Sequence, residues 1–252
     1  MGTVESIYAR NENRKIYSER IRERPVISMA NRIGRKRSMG KKFFILEFKR
    51  QSPSGFKSTT INDPESFKEK IAIYGDAMSV LTEPDYFKGS IEDAIPLQDL
   101  GKPILMKDFI DRKAMIDMAY ISGFDAYLLI ADFLGREKLE ELCKYGIEMG
   151  MDPLVEFHHM ESAGKIPDDD RIIIGYNRRN LKTLTMEPEE ERALSVLRGR
   201  DNLKVLESGM NSSNLRRSLE MDFDAYLIGT SVLNDQNFLN EIKETEGNYH
   251  DE

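Results

Sequence analysis

P-I-L-M-K-D-F-I-D-R-K-A-M-I-D-M-A-Y-I-S-G-F-D-A-Y-L-L-I-A (103–131) holds one complete strand–helix–strand unit. It opens on the apolar run P-I-L-M-K-D-F (103–109), and Asp111 then offers an N-cap. The helix so opened carries Met115, Met118 and Ala119 on one side and stops at Gly123. A second apolar run, A-Y-L-L-I-A (126–131), follows at once.

The same alternation extends along the whole chain. F-F-I-L-E-F-K (43–49) and D-A-M-S-V-L-T (76–82) precede this unit, and D-P-L-V-E-F (152–157), R-I-I-I-G-Y-N (171–177), L-K-V-L-E-S-G (203–209) and A-Y-L-I-G-T (225–230) follow it. Near-continuous apolar strands alternating with helices indicate a parallel sheet covered on both faces. Asp63-Pro64 marks another helix start, with Phe67, Ile71 and Tyr74 as its apolar stripe, and Ser212-Ser213 opens a later helix carrying Leu215 and Leu219. The weakest helix follows the fifth strand, where Gly164 and Pro167 argue for a short or irregular element.

Eight strand–helix units in 252 residues fit a TIM barrel. A doubly wound sheet has its glycine-rich phosphate turn early, and no G-x-G-x-x-G follows the first strand here. The expected fold is therefore α/β, a (β/α)8 TIM barrel with an N-terminal helical capping extension. All of residues 1–252 read as one domain: extension 1–40, helical and capping one end; barrel 43–243; tail 244–252.

Composition narrows the class of function. The mean hydropathy is -0.52, and no apolar run approaches the ~20 residues of a membrane span. With 40% hydrophobic residues, the chain is too apolar to be disordered. Cys143 is the single cysteine, which excludes an intramolecular disulfide and a cysteine-based metal cage. The first residues lack a signal-peptide core, so a cytoplasmic location is expected. The net charge of -7 hides an asymmetry: residues 1–50 carry 14 Lys+Arg against 5 Asp+Glu. A nucleic-acid partner is one reading, but no aromatic platform or nucleic-acid motif interleaves with these cations. The plainer reading is a basic arm lying on an acidic body. A further expectation places Arg22 and Arg24 near the barrel mouth, attracting an anionic substrate.

In a TIM barrel the chemistry sits at the C-terminal ends of the strands. Glu47 and Lys49 are two apart and share a face, while Phe44, Leu46 and Phe48 point the other way. Lys107, Glu156, Asn177 and Glu207-Ser208-Gly209 end further strands. Charged groups facing into a barrel are costly unless paired or functional, so a buried ion pair between Glu47 and Lys49 is the plain alternative. Five strands delivering Lys, Glu and Asn at one depth favour an active site. Gly209 and Gly229-Thr230 lie where such barrels bind phosphate, and Arg179 and Ser54 add side-chain donors.

These residues also carry a family resemblance. E-F-K-R-Q-S-P-S-G (47–55), S-V-L-T-E-P-D-Y-F-K-G-S (79–90), P-I-L-M-K-D-F-I (103–110), P-L-V-E-F (153–157), I-I-G-Y-N-R-R-N-L (173–181), V-L-E-S-G-M (205–210) and Y-L-I-G-T-S (226–231) resemble the successive strand motifs of indole-3-glycerol phosphate synthase. The short S-P-S-G form is most similar to the archaeal, stand-alone branch. The resemblance covers roughly residues 22 to 240. It implies a carboxy-lyase of tryptophan biosynthesis that closes 1-(2-carboxyphenylamino)-1-deoxyribulose 5-phosphate to indole-3-glycerol phosphate, losing carbon dioxide and water. No cofactor or metal is implied. The implied partner is a small phosphorylated substrate, with no nucleic acid and no membrane. A monomer is expected, with weak association with other tryptophan-pathway enzymes left open.

The family pattern makes Lys107 the general acid at the ribulose carbonyl, its proton made readily available by burial and by the neighbouring Lys49 cation. Lys49 would hold the substrate carboxylate and serve in dehydration, and Glu156 would be the general base. Glu47 and Asn177 would orient these groups. Glu207 and Ser208 would contact substrate, with Phe87 and Phe109 walling its ring. Ser54, Arg179, Gly209, Gly229 and Thr230 would take the phosphate. Two departures stand out: His158-His159 where the family often has an Asn/His-Asp pair, and Gly229-Thr230-Ser231 in place of G-E-S or G-S-S. Sugar-phosphate isomerases of the same fold use Asp or Cys at strand ends, whereas Cys143 lies in a helical stretch.

Overall fold

The computed structural model describes residues 2–11, 13–14, 21–229 and 232–247. Eight parallel strands close a barrel in sequence order: β1 Phe43–Phe48, β2 Ala77–Leu81, β3 Ile104–Lys107, β4 Ala126–Ile130, β5 Asp152–Phe157, β6 Ile173–Asn177, β7 Lys204–Glu207 and β8 Ala225–Ile228. Closure is the β1–β8 pairing, with Phe43 opposite Ala225 and Leu46 opposite Ile228. The helices are α1 Thr3–Asn11, α2 Met29–Ser38, α3 Pro64–Tyr74, α4 Lys113–Ile121, α5 Arg136–Glu148, α6 Met160–Ala163, α7 Glu190–Val196, α8 Leu215–Leu219 and α9 Gln236–Gly247. After β2 the crossover is a 3-10 helix, Ile91–Leu100, with Pro96 inside it; proline there lacks the amide that an α-helix would use. Among the described residues no helix is long and apolar enough to cross a membrane.

The two-residue side-chain period of the strands builds two apolar layers. Phe44, Leu46, Phe48, Ile104, Met106, Val155 and Phe157 face the helices, as the strand patterns require. Phe43, Ile45, Leu105, Leu128, Leu154, Ile173, Val205 and Leu227 fill the barrel interior. The barrel is thus packed mainly by apolar side chains below, and its charged groups gather at the C-terminal mouth.

Helix starts followed the expected chemistry in part. Asp63 caps α3, accepting from the Ser66 amide at 2.9 Å. Asp111 does not cap α4, whose N-cap is Arg112 without a side-chain bond; the Asp111 carboxylate serves Asn11 and Arg112 instead. Ser212 and Ser213 do not open α8 either. Ser213 bonds Asn211 and Ser212 bonds Asp235, so the helix begins after Asn214. The element after β5 is a single turn, α6, ended by Gly164.

The N-terminal extension covers both ends of the barrel rather than one. Segment 21–28 and α2 lie under the strand starts, where Arg22 and Arg24 pair with Asp125 immediately before β4. Ser28 and the Ala30 amide donate to Asp152 at the start of β5, both at 2.9 Å. Lys36 pairs with Asp76 before β2, and Arg37 with Asp224 before β8. Helix α1 crosses the opposite, C-terminal mouth. There Asn11 Nδ2 donates to the Phe109 carbonyl at 2.6 Å, Arg14 grips Asp108 at 2.7 and 2.8 Å, and Tyr8 packs edge-on to Phe109.

The expectation that Arg22 and Arg24 sit near the mouth is therefore overturned. They are held at the far end because Asp125 is buried and also accepts from the Ile27 and Ile104 amides. A buried carboxylate needs countercharge, and the arm supplies it.

Candidate active site

Inward-facing residues at the strand ends converge on a cavity of about 240 Å³ at the C-terminal mouth. Glu47 from β1, Lys107 from β3, Glu156 from β5 and Asn177 from β6 reach it from below, and Lys49 enters from just past β1. Phe87 and Phe109 form one wall, their rings 5.9 Å apart. Ser54, Arg179, Ser208, Gly209 and Gly229 lie along the rim. Thr230 falls outside the described residues.

Glu207 departs from its expected place. It is fully buried and does not line the cavity; it lies beneath Lys107 and binds its ammonium. Room for it exists because β6 has glycine at position 175, where an added Cβ would stand 2.2 Å from Glu207 Oε1.

The floor of the site is a charge cluster. Lys107 Nζ is bonded to Glu207 and lies 3.5 Å from Glu156 and 3.9 Å from Glu47. Lys49 pairs with Glu47, the arrangement the plain reading anticipated, and stands over the Phe56 ring. Asn177 Nδ2 donates to Glu156 Oε1 at 2.8 Å, and its own oxygen accepts from the Arg179 amide at 2.9 Å. Glu156 Oε2 faces the Lys107 ammonium across 3.5 Å.

Protonation follows from these neighbours. Burial would lower Lys107, but Glu207, Glu156 and Glu47 outweigh it and raise its pKa. The expectation of a loosened proton is thus corrected: Lys49 turns to Glu47, and three carboxylates surround Lys107 instead. Burial would also raise Glu47, yet Lys49 and Lys107 hold it below the ordinary carboxylate range. Three carboxylates against two ammoniums leave one negative charge in surplus. Glu207 absorbs it: burial pushes its carboxyl up to about 8, against the pull of Lys107 and with the Glu156 charge adding.

The rim is shaped for backbone approach. Ser208 and Gly209 are both left-handed, at φ 67° and 69°. Such a conformation in serine costs ~1–3 kcal/mol and is held by its surroundings at functional sites. At Gly209 an added Cβ would also stand 2.4 Å from Met186. Arg179 Nη1 donates to the Leu184 carbonyl at 2.7 Å, which fixes its guanidinium beside the cavity.

Several lining residues carry no polar signal and were missed. Val4 and Ile7 come from α1, and Leu181, Leu184 and Met210 from the loops after β6 and β7. Leu81, Leu128, Ile130 and Leu227 were within reach of the inward parity of their strands. Among the described residues no group of His, Cys, Asp and Glu is arranged to hold a metal ion.

Comparison with known proteins points one way. A family model, Indole-3-glycerol phosphate synthase, matches residues 2–245. The synthase of Picrophilus torridus is 39% identical over 236 residues, covering 94% of each chain. That of Thermoplasma volcanium is 37% identical, covering 96% of this chain and 98% of its own. Distant solved structures share the fold alone. 3-Hexulose-6-phosphate synthase from Salmonella typhimurium superposes with a TM-score of 0.63 at 11% identity, covering 82% of this chain and all of that one. Tryptophan synthase subunit alpha from Legionella pneumophila gives 0.57 at 10% identity, covering 84% and 90%. With the match running nearly end to end and the barrel closed as its strand motifs require, the chain belongs to the indole-3-glycerol phosphate synthase family.

Proposed function

We propose that this mouth closes the indole ring with Lys107 as general acid and Glu156 as general base. The observation that carries the reading is their shared position: a lysine ammonium and a carboxylate oxygen face each other across 3.5 Å at the cavity floor. In the first step an aromatic ring carbon attacks the ribulose carbonyl carbon, and Lys107 protonates the carbonyl oxygen. The oxygen becomes an alkoxide as the bond forms, a stronger base than any amine, so even a firmly held lysine proton moves downhill. Loss of carbon dioxide restores the benzene ring. Departure of the hydroxyl as water, with Lys49 supplying the proton, and removal of a proton by Glu156 complete the indole.

Each remaining group supports a step. Lys49 would also hold the substrate carboxylate until it leaves. Asn177 fixes Glu156 through the 2.8 Å bond, and Glu47 anchors Lys49. Glu207 is better read as a positioning residue beneath Lys107 than as a substrate contact. Arg179, Ser54 and the backbone at Gly209 and Gly229 would receive the phosphate, joined by Thr230; Phe87 and Phe109 would wall the anthranilate ring.

All these groups come from one chain, so a monomer suffices. The cations of the extension on aspartates at strand starts favour this reading over an RNA-binding arm. The test is conversion of the carboxyphenylamino substrate by the purified protein, followed by product fluorescence and by carbon dioxide released. One carbon dioxide per product is expected; no conversion would end the proposal.

A further inference from the structure

The connection after β6 folds into a small hairpin that the chemistry itself does not require. Arg179 and Met186 form an antiparallel bridge, and the Glu187 amide donates to the Arg178 carbonyl at 2.8 Å. The Leu184 amide donates to the Asn180 carbonyl at 2.7 Å, with Leu184 itself left-handed at φ 61°. That conformation aims the Leu184 carbonyl at the Arg179 guanidinium, which it holds at 2.7 Å.

One carboxylate gathers the hairpin. Glu187 accepts from Thr185 Oγ1 at 2.5 Å, Asn180 Nδ2 at 3.1 Å and Thr183 Oγ1 at 3.2 Å. These donors, Thr185 first, hold its carboxyl down to about 2. Behind it stands the buried ring of His158. Nδ1 lies 2.9 Å from the Asn177 carbonyl and Nε2 lies 3.4 Å from Glu187. Both partners are acceptors, so the ring spans from the end of β6 to the carboxylate of the hairpin.

We infer that Glu187, backed by His158, is a positioning residue for Arg179: it shapes the hairpin whose Leu184 carbonyl holds the guanidinium at the substrate cavity. Neither residue touches the cavity. The inference rests on the reading of Arg179 as a phosphate ligand and adds the device that sets it. Its signature is weaker grip on the phosphate end with the chemical step untouched.

The experiment compares Glu187→Ala, Glu187→Gln, His158→Phe and Arg179→Ala in the full chain. It reads kcat, KM and the inhibition constant of inorganic phosphate. Glu187→Ala should raise KM and the phosphate constant together by ~10-fold, the scale of losing hydrogen bonds to a charged group, with kcat nearly unchanged. Glu187→Gln, which keeps side-chain size and one acceptor oxygen, should fall between, and His158→Phe should move both constants in the same direction. In an Arg179→Ala background, Glu187→Ala should add nothing further. Unchanged KM and phosphate constants in Glu187→Ala would overturn the inference. So would a loss of kcat and Tm with KM preserved, the mark of a merely structural role. Arg179→Ala separates the two layers: if it raises both constants and Glu187→Ala raises neither, only the inference fails. If Arg179→Ala itself raises neither, the phosphate reading fails first.

Discussion

Replacing Gly175 with alanine tests whether Glu207 positions the proposed acid. Gly175 faces the barrel interior on β6, in register with Glu156 on one side and Val205 on the other. An added Cβ would stand 2.2 Å from Glu207 Oε1 and 3.0 Å from Leu154 Cδ2. Ordinary carbon–oxygen contact needs roughly 3.4 Å, so the carboxylate must withdraw by about 1 Å in an interior packed as tightly as an organic crystal. It is fully buried and its other oxygen holds Lys107, so the movement is transmitted to the ammonium. Overpacking of this kind costs about 1–3 kcal/mol of stability. A displacement near 1 Å at a reacting group costs on the order of 100-fold in rate. The assay is steady-state product fluorescence alongside urea unfolding. Gly175→Ala should lose kcat by about that factor while remaining folded. Gly34→Ala in α2 is the matched control, since an added Cβ there meets nothing within 4 Å. It should gain about 0.5–1 kcal/mol and leave kinetics alone. A Gly175→Ala protein that loses stability but keeps wild-type kcat would refute the claim that Glu207 places Lys107.

Three further outcomes are expected. Asp125→Asn leaves Arg22 and Arg24 without their shared buried charge and should cost ~3 kcal/mol in unfolding free energy, with KM unmoved because the pair lies at the far end of the barrel. By the same geometry, Arg22→Gln with Arg24→Gln should leave the salt dependence of KM as in the wild type; a KM raised more at low salt than at high would restore the steering idea. Glu207 carries its proton in the folded state up to about 8, whereas the free group loses it near 4.5. The native state therefore binds the extra proton between those values, and this group's contribution makes stability fall as pH rises through them. Glu207→Gln should flatten that slope in urea melts taken across the window, and an unaltered slope would place the proton elsewhere.

Much of the barrel was legible because parallel strands buried on both faces must be apolar throughout, which makes each one conspicuous. Polar residues at their ends then stand out: Lys107, Glu156 and Asn177 could be named from parity and depth alone. What stayed hidden depends on contacts between distant segments. The extension looked like a cap for one end because its charge pattern says nothing about which aspartates will face it. Asp76, Asp125, Asp152 and Asp224 each open or precede a different strand, and only the closed barrel gathers them at one end against the extension. The expected caps at Asp111 and Ser212-Ser213 failed for a related reason, since tertiary and local partners compete for the same side chains. Glu207 was misplaced because its depth depends on a missing Cβ on the neighbouring strand. The Lys107 proton was misjudged because one cation in sequence was weighed where three carboxylates gather in space.

The most direct test is a single-turnover measurement of indole-3-glycerol phosphate formation by the wild type, Lys107→Ala and Glu156→Gln, each checked for cooperative unfolding. Ring closure in the wild type with a loss of about 100-fold to 10,000-fold in each folded variant is the expected result, the range for removing a positioned acid or base. Turnover near the wild-type rate in either folded variant would contradict the assignment of the acid and base to this pair.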